Sequence, residues 1–104
     1  MVVNVLGTDY TVVVDEKENN PKMQGASGYI ELYSKKIVLK NIQESKMSFE
    51  DVDEFRRKVL RHEIAHAFFH EAGASDYCDD EKLIDWLALI IPKMFTAMQK
   101  AECL

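Results

Sequence analysis

The chain has 104 residues, of which 47% are hydrophobic, and it carries a formal net charge of −5. This length fits one domain, 1–104, with a modest core, and the hydrophobic fraction excludes a disordered chain. The acidic balance argues against a nucleic-acid-binding surface, which usually needs a basic stripe. Two cysteines make no disulfide framework, and no secretory signal pattern opens the chain, so we expect a cytoplasmic protein.

Two β-hairpins are predicted in the first forty residues. Runs rich in β-branched residues cover 2–6 and 10–14, with Gly7 between them. A second pair of runs, 28–33 and 36–39, flanks a short polar turn. We therefore expect an α+β fold whose mostly antiparallel sheet of two hairpins packs against two helices, one carrying the active site and one C-terminal.

The first of these helices is predicted over 48–72. Ser48 and Asp51 resemble a capping box with the shorter acid, and Gly73 is a natural stop. Apolar residues and two histidines recur along this stretch at three- and four-residue steps, which places both histidines on the core-facing side.

The second helix is predicted to open near residue 79 and to continue through an apolar run over 83–91. That run is too short and too charged to span a membrane. Pro92 should kink or break the helix. Met94, Phe95 and Met98 continue the apolar stripe, a pattern more typical of a core than of a partner-binding groove.

The sequence His62-Glu63-Ile64-Ala65-His66 is an H-E-x-x-H motif. Residues four apart lie one above the other on a helix, so both imidazoles can reach one zinc ion. Glu63 then lies beside the metal, where a general base can take a proton from zinc-bound water. The competing interpretation is a pair of buried, hydrogen-bonded histidines, but desolvating them beside a glutamate without a metal would be costly.

A third ligand must come from elsewhere in the chain. His70 lies roughly 12 Å from His62 along the axis, too far to share one ion. Cys78 has ligand chemistry, although a lone cysteine near a helix start is more often part of the packing. Glu81 is the better candidate because Asp85 follows one turn later, as in gluzincins, where an aspartate orients a ligand histidine. Acids also favour the first turn of a helix for electrostatic reasons alone.

The stretches 62–70 and 81–92 resemble the ImmA/IrrE-type metallopeptidases, in which an H-E-x-x-H helix precedes an acidic ligand and an apolar helix ending in proline. Nearly the whole chain is similar to short metallopeptidase-like proteins encoded by phages and prophages of Gram-positive bacteria, with which it shares the segments 3–8, 28–29 and 85–86. This resemblance implies a minimal zincin-like fold, a zinc site of His62, His66 and Glu81, and the cytoplasm of a bacterial host.

The chain departs from that pattern in two respects. Asp85 stands where many ImmA/IrrE-type proteins have asparagine. The helix-turn-helix and accessory domains of longer relatives are absent from the sequence, which argues against a DNA-linked regulatory role.

The expected activity is zinc-dependent hydrolysis of a protein or peptide, with Glu63 as the catalytic base. Tyr29, Tyr77 and His70 are the candidates for stabilising the transition state. One alternative is a binding module that holds zinc but acts by docking a host or phage protein. A non-peptidase zinc hydrolase would use the same residues. The sequence specifies neither the substrate nor the sheet edge that would bind it.

Overall fold

The computed structural model describes residues 1–15, 20–23, 25–41 and 51–104. Four strands precede three helices, which confirms the predicted α+β class. The elements are β1 (Val2–Val5), β2 (Thr8–Asp15), β3 (Gly28–Glu31), β4 (Lys36–Lys40), α1 (Val52–Glu71), α2 (Ser75–Cys78) and α3 (Glu81–Lys100).

Both predicted hairpins are present, and a parallel pairing joins them. β1 pairs with β2 and β3 pairs with β4 in antiparallel ladders. The β1–β2 turn consists of Leu6 and Gly7, both with positive φ, as in the two-residue turns that suit the twist of a hairpin. β2 and β4 run parallel, so the sheet is mixed and has the order β1-β2-β4-β3. The expectation of a mostly antiparallel sheet did not anticipate this central pairing.

The core lies between one face of the sheet and α1. Strand side chains alternate between faces, so every second residue of each strand points towards this helix. The buried members are Val5, Tyr10, Val12, Ile37, Leu39 and Ala67, with Val3, Ile30, Val59, Leu60 and Ile64 packed against them.

Gly28 lets the edge strand β3 approach α1 closely. A Cβ atom at this position would lie 2.9 Å from Val59 Cγ1 and 3.1 Å from the carbonyl oxygen of Val38. A larger residue would therefore push β3 away from the helix that carries the H-E-x-x-H motif.

A polar cluster fixes the far end of α1 to the sheet. The buried Tyr10 hydroxyl donates to Glu71 Oε2 at 3.0 Å, and Lys35 Nζ contacts the same oxygen at 3.0 Å. Hydrogen bonds from the side chains of Lys35, Thr8 and Tyr10 hold the pKa of Glu71 below its ordinary value. Burial, followed by the bond to Glu71, raises the pKa of Tyr10 to about 12.

The ends of α1 are defined by Asp51 and Gly73. Asp51 is the N-cap, and its side chain accepts from the Glu54 N–H at 2.9 Å. Ser48, the predicted cap, lies outside the described residues. Gly73 has φ 75°, which confirms the predicted stop.

α3 packs against α1 and α2, and within the described residues it makes no extended contact with the sheet. The expectation that both helices cover the sheet is therefore wrong for α3. Met94, Phe95 and Met98 are also exposed, not buried, because α3 has left the core by this point.

No described helix combines the length and apolar character that a bilayer crossing requires.

Pro92 does not end α3, which continues to Lys100. Proline lacks the N–H that would bond to the carbonyl of Ala88 four residues earlier. Arg61 Nε of α1 donates to that carbonyl oxygen at 2.7 Å. An arginine from the neighbouring helix thus satisfies the group that the proline leaves free, and it links α1 to α3.

We expect the effect of Arg61→Met to depend on Pro92. In the native background it should lower the free energy of unfolding by about 1.5–3 kcal/mol, the usual range for a hydrogen bond to a charged group. In a Pro92→Ala background the loss should be smaller, because the alanine N–H then bonds to the Ala88 carbonyl. Urea unfolding of the four proteins measures the coupling. Equal losses in both backgrounds would contradict this account of the helix.

Candidate metal centre

The two histidines of the motif lie on adjacent turns of α1 with their Nε2 atoms 3.2 Å apart. His66 is buried, and the His62 side chain is 21% exposed. The opposite side of the helix packs on the sheet through Leu60 and Ile64. Packing of that side therefore directs both imidazoles towards α2 and α3.

Each imidazole is oriented through its Nδ1 atom. His66 Nδ1 lies 2.6 Å from the backbone carbonyl oxygen of Cys78, and because a carbonyl only accepts, Nδ1 must carry the proton. His62 Nδ1 lies 3.5 Å from Asp85 Oδ1, an acceptor when ionised. In the neutral rings the Nε2 atoms then carry lone pairs and no proton, which is the form that binds a metal.

Glu81 reaches both histidines from the first residue of α3. Its Oε2 atom lies 3.1 Å from His62 Nε2, and its Oε1 atom lies 3.1 Å from His66 Nε2. Asp80 fixes the start of this helix, since its side chain accepts from the Leu83 N–H at 3.0 Å. The cap thereby sets the position from which the Glu81 carboxylate approaches the histidines.

The donor atoms of His62, His66 and Glu81 have spacings that fit a tetrahedral metal ion. Zinc bonds of about 2.0–2.1 Å at tetrahedral angles place ligand atoms roughly 3.3 Å apart. Here the two Nε2 atoms are 3.2 Å apart, and each lies 3.1 Å from a different oxygen of the Glu81 carboxylate. The lone pairs of these nitrogen and oxygen atoms repel one another at such distances unless a cation or a proton lies among them.

Glu63 is the other carboxylate beside the histidines. Ligand atoms of His62, Glu63 and His66 all lie within 4.8 Å of one another, so this trio is also compact enough to hold an ion. The nearest Glu63 oxygen is nevertheless 3.9 Å from His62 Nε2, farther than either Glu81 contact. The Glu81 oxygens are thus closer to the histidine Nε2 atoms, and Glu63 lies slightly farther away.

The Glu63 carboxyl is buried, and burial is the main reason that its pKa is raised to about 7. The neighbouring His62 lowers this pKa, and the charge of Glu81 raises it. A carboxyl with a pKa near neutrality can both accept and release a proton at physiological pH. This is the protonation behaviour that a general base needs.

A groove of about 240 Å³ opens beside Glu63 and His62. One wall comes from the chain that leads into β3, and the other comes from α1 and Asp85 of α3. Its lining residues are Ala26, Ser27, Gly28, Phe55, Lys58, Val59, His62, Glu63 and Asp85.

Asp85, the residue expected to orient a ligand histidine, lies next to His62. Its side chain is 61% exposed, because this turn of α3 lies at the mouth of the groove. Its Oδ1 atom lies 3.5 Å from His62 Nδ1, which is longer than a good hydrogen bond.

The three candidates for stabilising the transition state lie away from the histidine pair. Tyr29 alternates with Gly28 on β3 and therefore points to the opposite face of the sheet, where it lines a separate pocket. Tyr77 is exposed and packs against Phe69, and His70 packs against Tyr33 at the end of α1. None of the three lines the groove.

Two contributors to the site were not predicted from the sequence. The backbone carbonyl of Cys78 orients His66. The Cys78 thiol donates to the carbonyl oxygen of His66 at 3.3 Å, and burial raises the pKa of this thiol. No sequence pattern identifies such a carbonyl. Lys58 lies one turn before His62, so the helical periodicity contained a signal that it would face the same groove.

Comparison of the chain with models of protein families, with curated proteins and with solved structures found no match.

The raised pKa of Glu63 predicts a pH-dependent stability for the metal-free protein. The carboxyl has a pKa of about 7 when folded, against an ordinary value of 4.5, so the stability present below pH 4.5 is lost as the pH rises through 7. A difference of this size corresponds to about 3 kcal/mol at most. Glu63→Gln removes this penalty and should exceed the wild type in stability by up to that amount at pH 8, but not at pH 4.

Urea unfolding of chelator-treated protein across this pH range measures the difference. Glu102→Gln, at an exposed position, is the control and should follow the wild-type profile. A constant offset between Glu63→Gln and the wild type at every pH would contradict the assignment.

Proposed function

We propose that the protein is a zinc-dependent metallopeptidase with a minimal zincin-like fold. The observation that carries the proposal is the Glu81 carboxylate placed across the histidine pair. Each of its oxygens lies 3.1 Å from the Nε2 atom of one histidine, beside the buried carboxyl of Glu63, and the two Nε2 atoms are 3.2 Å apart. The resemblance of the motif regions to ImmA/IrrE-type and phage-encoded metallopeptidases supports the same function.

Zinc bound by these three residues supplies a Lewis acid that polarises a carbonyl and lowers the pKa of water towards 7. Glu63 lies beside that position and accepts the proton of the attacking water. The same carboxyl would then release the proton to the leaving amine. Asp85 lies at Nδ1 of His62 and the Cys78 carbonyl at Nδ1 of His66, so the Nε2 atoms of both rings point towards the Glu81 carboxylate.

The substrate in this proposal is a peptide segment lying along β3. This strand is an edge of the sheet, and the chain that leads into it forms one wall of the groove beside Glu63. The Lys40 N–H bonds to the Ser27 carbonyl, so by antiparallel alternation Gly28 and Ile30 direct their N–H and C=O groups away from β4. An extended peptide can add to such an edge by backbone hydrogen bonds.

A zinc-holding binding module is the second candidate function. The observation that favours it is the location of Tyr29, Tyr77 and His70, none of which lines the groove where a second electrophile would act. A non-catalytic zincin fold needs no such group. The buried Glu63 favours the peptidase, because a purely structural metal site needs no base.

We expect one zinc ion per chain, with Glu81 as the third ligand. His66→Ala should abolish stoichiometric binding, and Glu81→Gln should weaken it strongly because a charged donor is lost. Asp85→Asn should weaken it by about 10–100-fold, the usual effect of disturbing the partner of a ligand histidine. Competition with a chromogenic chelator measures all three affinities.

Cys78→Ala is the control, since the thiol faces the α1 backbone and the orienting carbonyl survives the substitution. Full zinc affinity in Glu81→Gln together with loss in Cys78→Ala would assign the third ligand to the cysteine.

We expect proteolysis that depends on Glu63. The zinc-loaded protein, incubated with a bacterial lysate, should create new peptide termini that mass spectrometry can map. Glu63→Gln should reduce their formation by at least about 100-fold, the usual contribution of a general base, while still binding one zinc.

Glu54→Gln, at an exposed position of the same helix, should leave cleavage unchanged. If zinc-loaded wild-type protein created no more termini than Glu63→Gln, the binding module would replace the peptidase. Loss of zinc from Glu63→Gln would instead make Glu63 a ligand.

A further inference from the structure

The groove beside Glu63 contains one cationic side chain among its described lining residues, that of Lys58. Lys58 lies one turn before His62 on α1, and its side chain is 35% exposed. The rest of the lining is glycine, small residues, apolar side chains and the site residues His62, Glu63 and Asp85. An ammonium group therefore faces a cleft that is otherwise apolar or acidic.

Asp85 only partly neutralises Lys58. Asp85 Oδ1 lies 3.6 Å from Lys58 Nζ and 3.5 Å from His62 Nδ1, so one oxygen is shared between two partners. The Lys58 contact is longer than a charge-assisted hydrogen bond of about 2.7–2.9 Å. An ammonium with three donors and one distant partner can accept a further anion.

The position of Lys58 argues for substrate recognition instead of transition-state stabilisation. Lys58 contacts Asp85, which lies on the Nδ1 side of the His62 ring. The proposed metal-binding atoms, which are the histidine Nε2 atoms and the Glu81 carboxylate, lie on the other side of that ring. A group that binds the developing oxyanion must lie about 3 Å from it, on the Nε2 side. Lys58 is instead placed to contact a part of the substrate near the reacting bond.

We propose that Lys58 makes the groove selective for a carboxylate on the peptide substrate, close to the cleaved bond. This inference rests on the proposed function. A chain of net charge −5, with Glu63 and Asp85 in the groove itself, would otherwise repel an acidic substrate. The carboxylate belongs either to an acidic side chain or to the C-terminus of the substrate, and both present the same chemistry to Lys58.

Peptide hydroxamates are suitable probes because the hydroxamate binds the zinc ion and leaves the peptide part to test the groove. Three probes share the hydroxamate and an adjacent leucine. The first ends in glutamine amide, the second in glutamic acid with an amidated C-terminus, and the third in glutamine with a free C-terminal carboxylate. Isothermal titration calorimetry gives their affinities for the zinc-loaded protein.

The wild type should bind one or both carboxylate probes about tenfold more tightly than the neutral probe, as expected for a partly desolvated charge pair. The second probe reports a side-chain carboxylate and the third a chain terminus. Lys58→Met should abolish this preference while leaving the neutral probe's affinity unchanged, and Lys58→Arg should retain it. Lys100→Met, at an exposed position in the last turn of α3, is the matched control and should behave as the wild type.

Equal affinities of the wild type for all three probes would overturn the inference while leaving the zinc site standing. Equal weakening of all three probes in Lys58→Met would also overturn it, because Lys58 would then be a residue that positions Asp85. Failure of the neutral probe to bind the wild type would instead contradict the zinc site, and the inference would fall with it.

Discussion

The site depends on the orientation of two imidazole rings. His66 donates from Nδ1 to the carbonyl of Cys78, and His62 presents Nδ1 to Asp85, so both Nε2 lone pairs point towards the Glu81 carboxylate. The two Nε2 atoms lie 3.2 Å apart, and each lies 3.1 Å from one Glu81 oxygen. Without a proton or a cation among them these lone pairs repel one another, and the packing of α1, α2 and α3 must then oppose the repulsion. A zinc ion would convert this unfavourable arrangement into the most strongly held point of the molecule.

The helices depend on one another through contacts that cross between them. Arg61 of α1 bonds to the carbonyl that Pro92 leaves free in α3, and the Asp80 cap fixes where α3 begins. The position of Glu81 therefore follows from a proline eleven residues later as well as from its own cap. On the other side of α1, Gly28 allows β3 to lie close enough to form a wall of the groove. The same helix thus locates both the histidine pair and the edge strand.

Much of this organisation could be predicted from the sequence because its signals are local. The i, i+4 spacing placed His62 and His66 on one face, and β-branched runs located both hairpins. The predictions that were wrong or incomplete concern how elements distant in the sequence pack together, which no local pattern indicates. The parallel pairing of β2 with β4 and the exposure of Met94, Phe95 and Met98 follow from where whole elements lie. Tyr29 was one of three candidates for stabilising a transition state, but the alternation of side chains along β3 puts it on the other face of the sheet. The orienting carbonyl of Cys78 has no side-chain signature.

The central parallel ladder has a consequence for the order in which the chain folds. Each hairpin joins neighbouring strands and can form in about 1–10 µs. β2 and β4 pair residues such as Thr11 and Lys36, so the sheet becomes continuous only after a longer loop has closed. α1 packs across strands of both hairpins, and α3 then packs on α1. The histidines and Glu81 should consequently come together late in folding, so the contact between α1 and the start of α3 is a reporter of the last step.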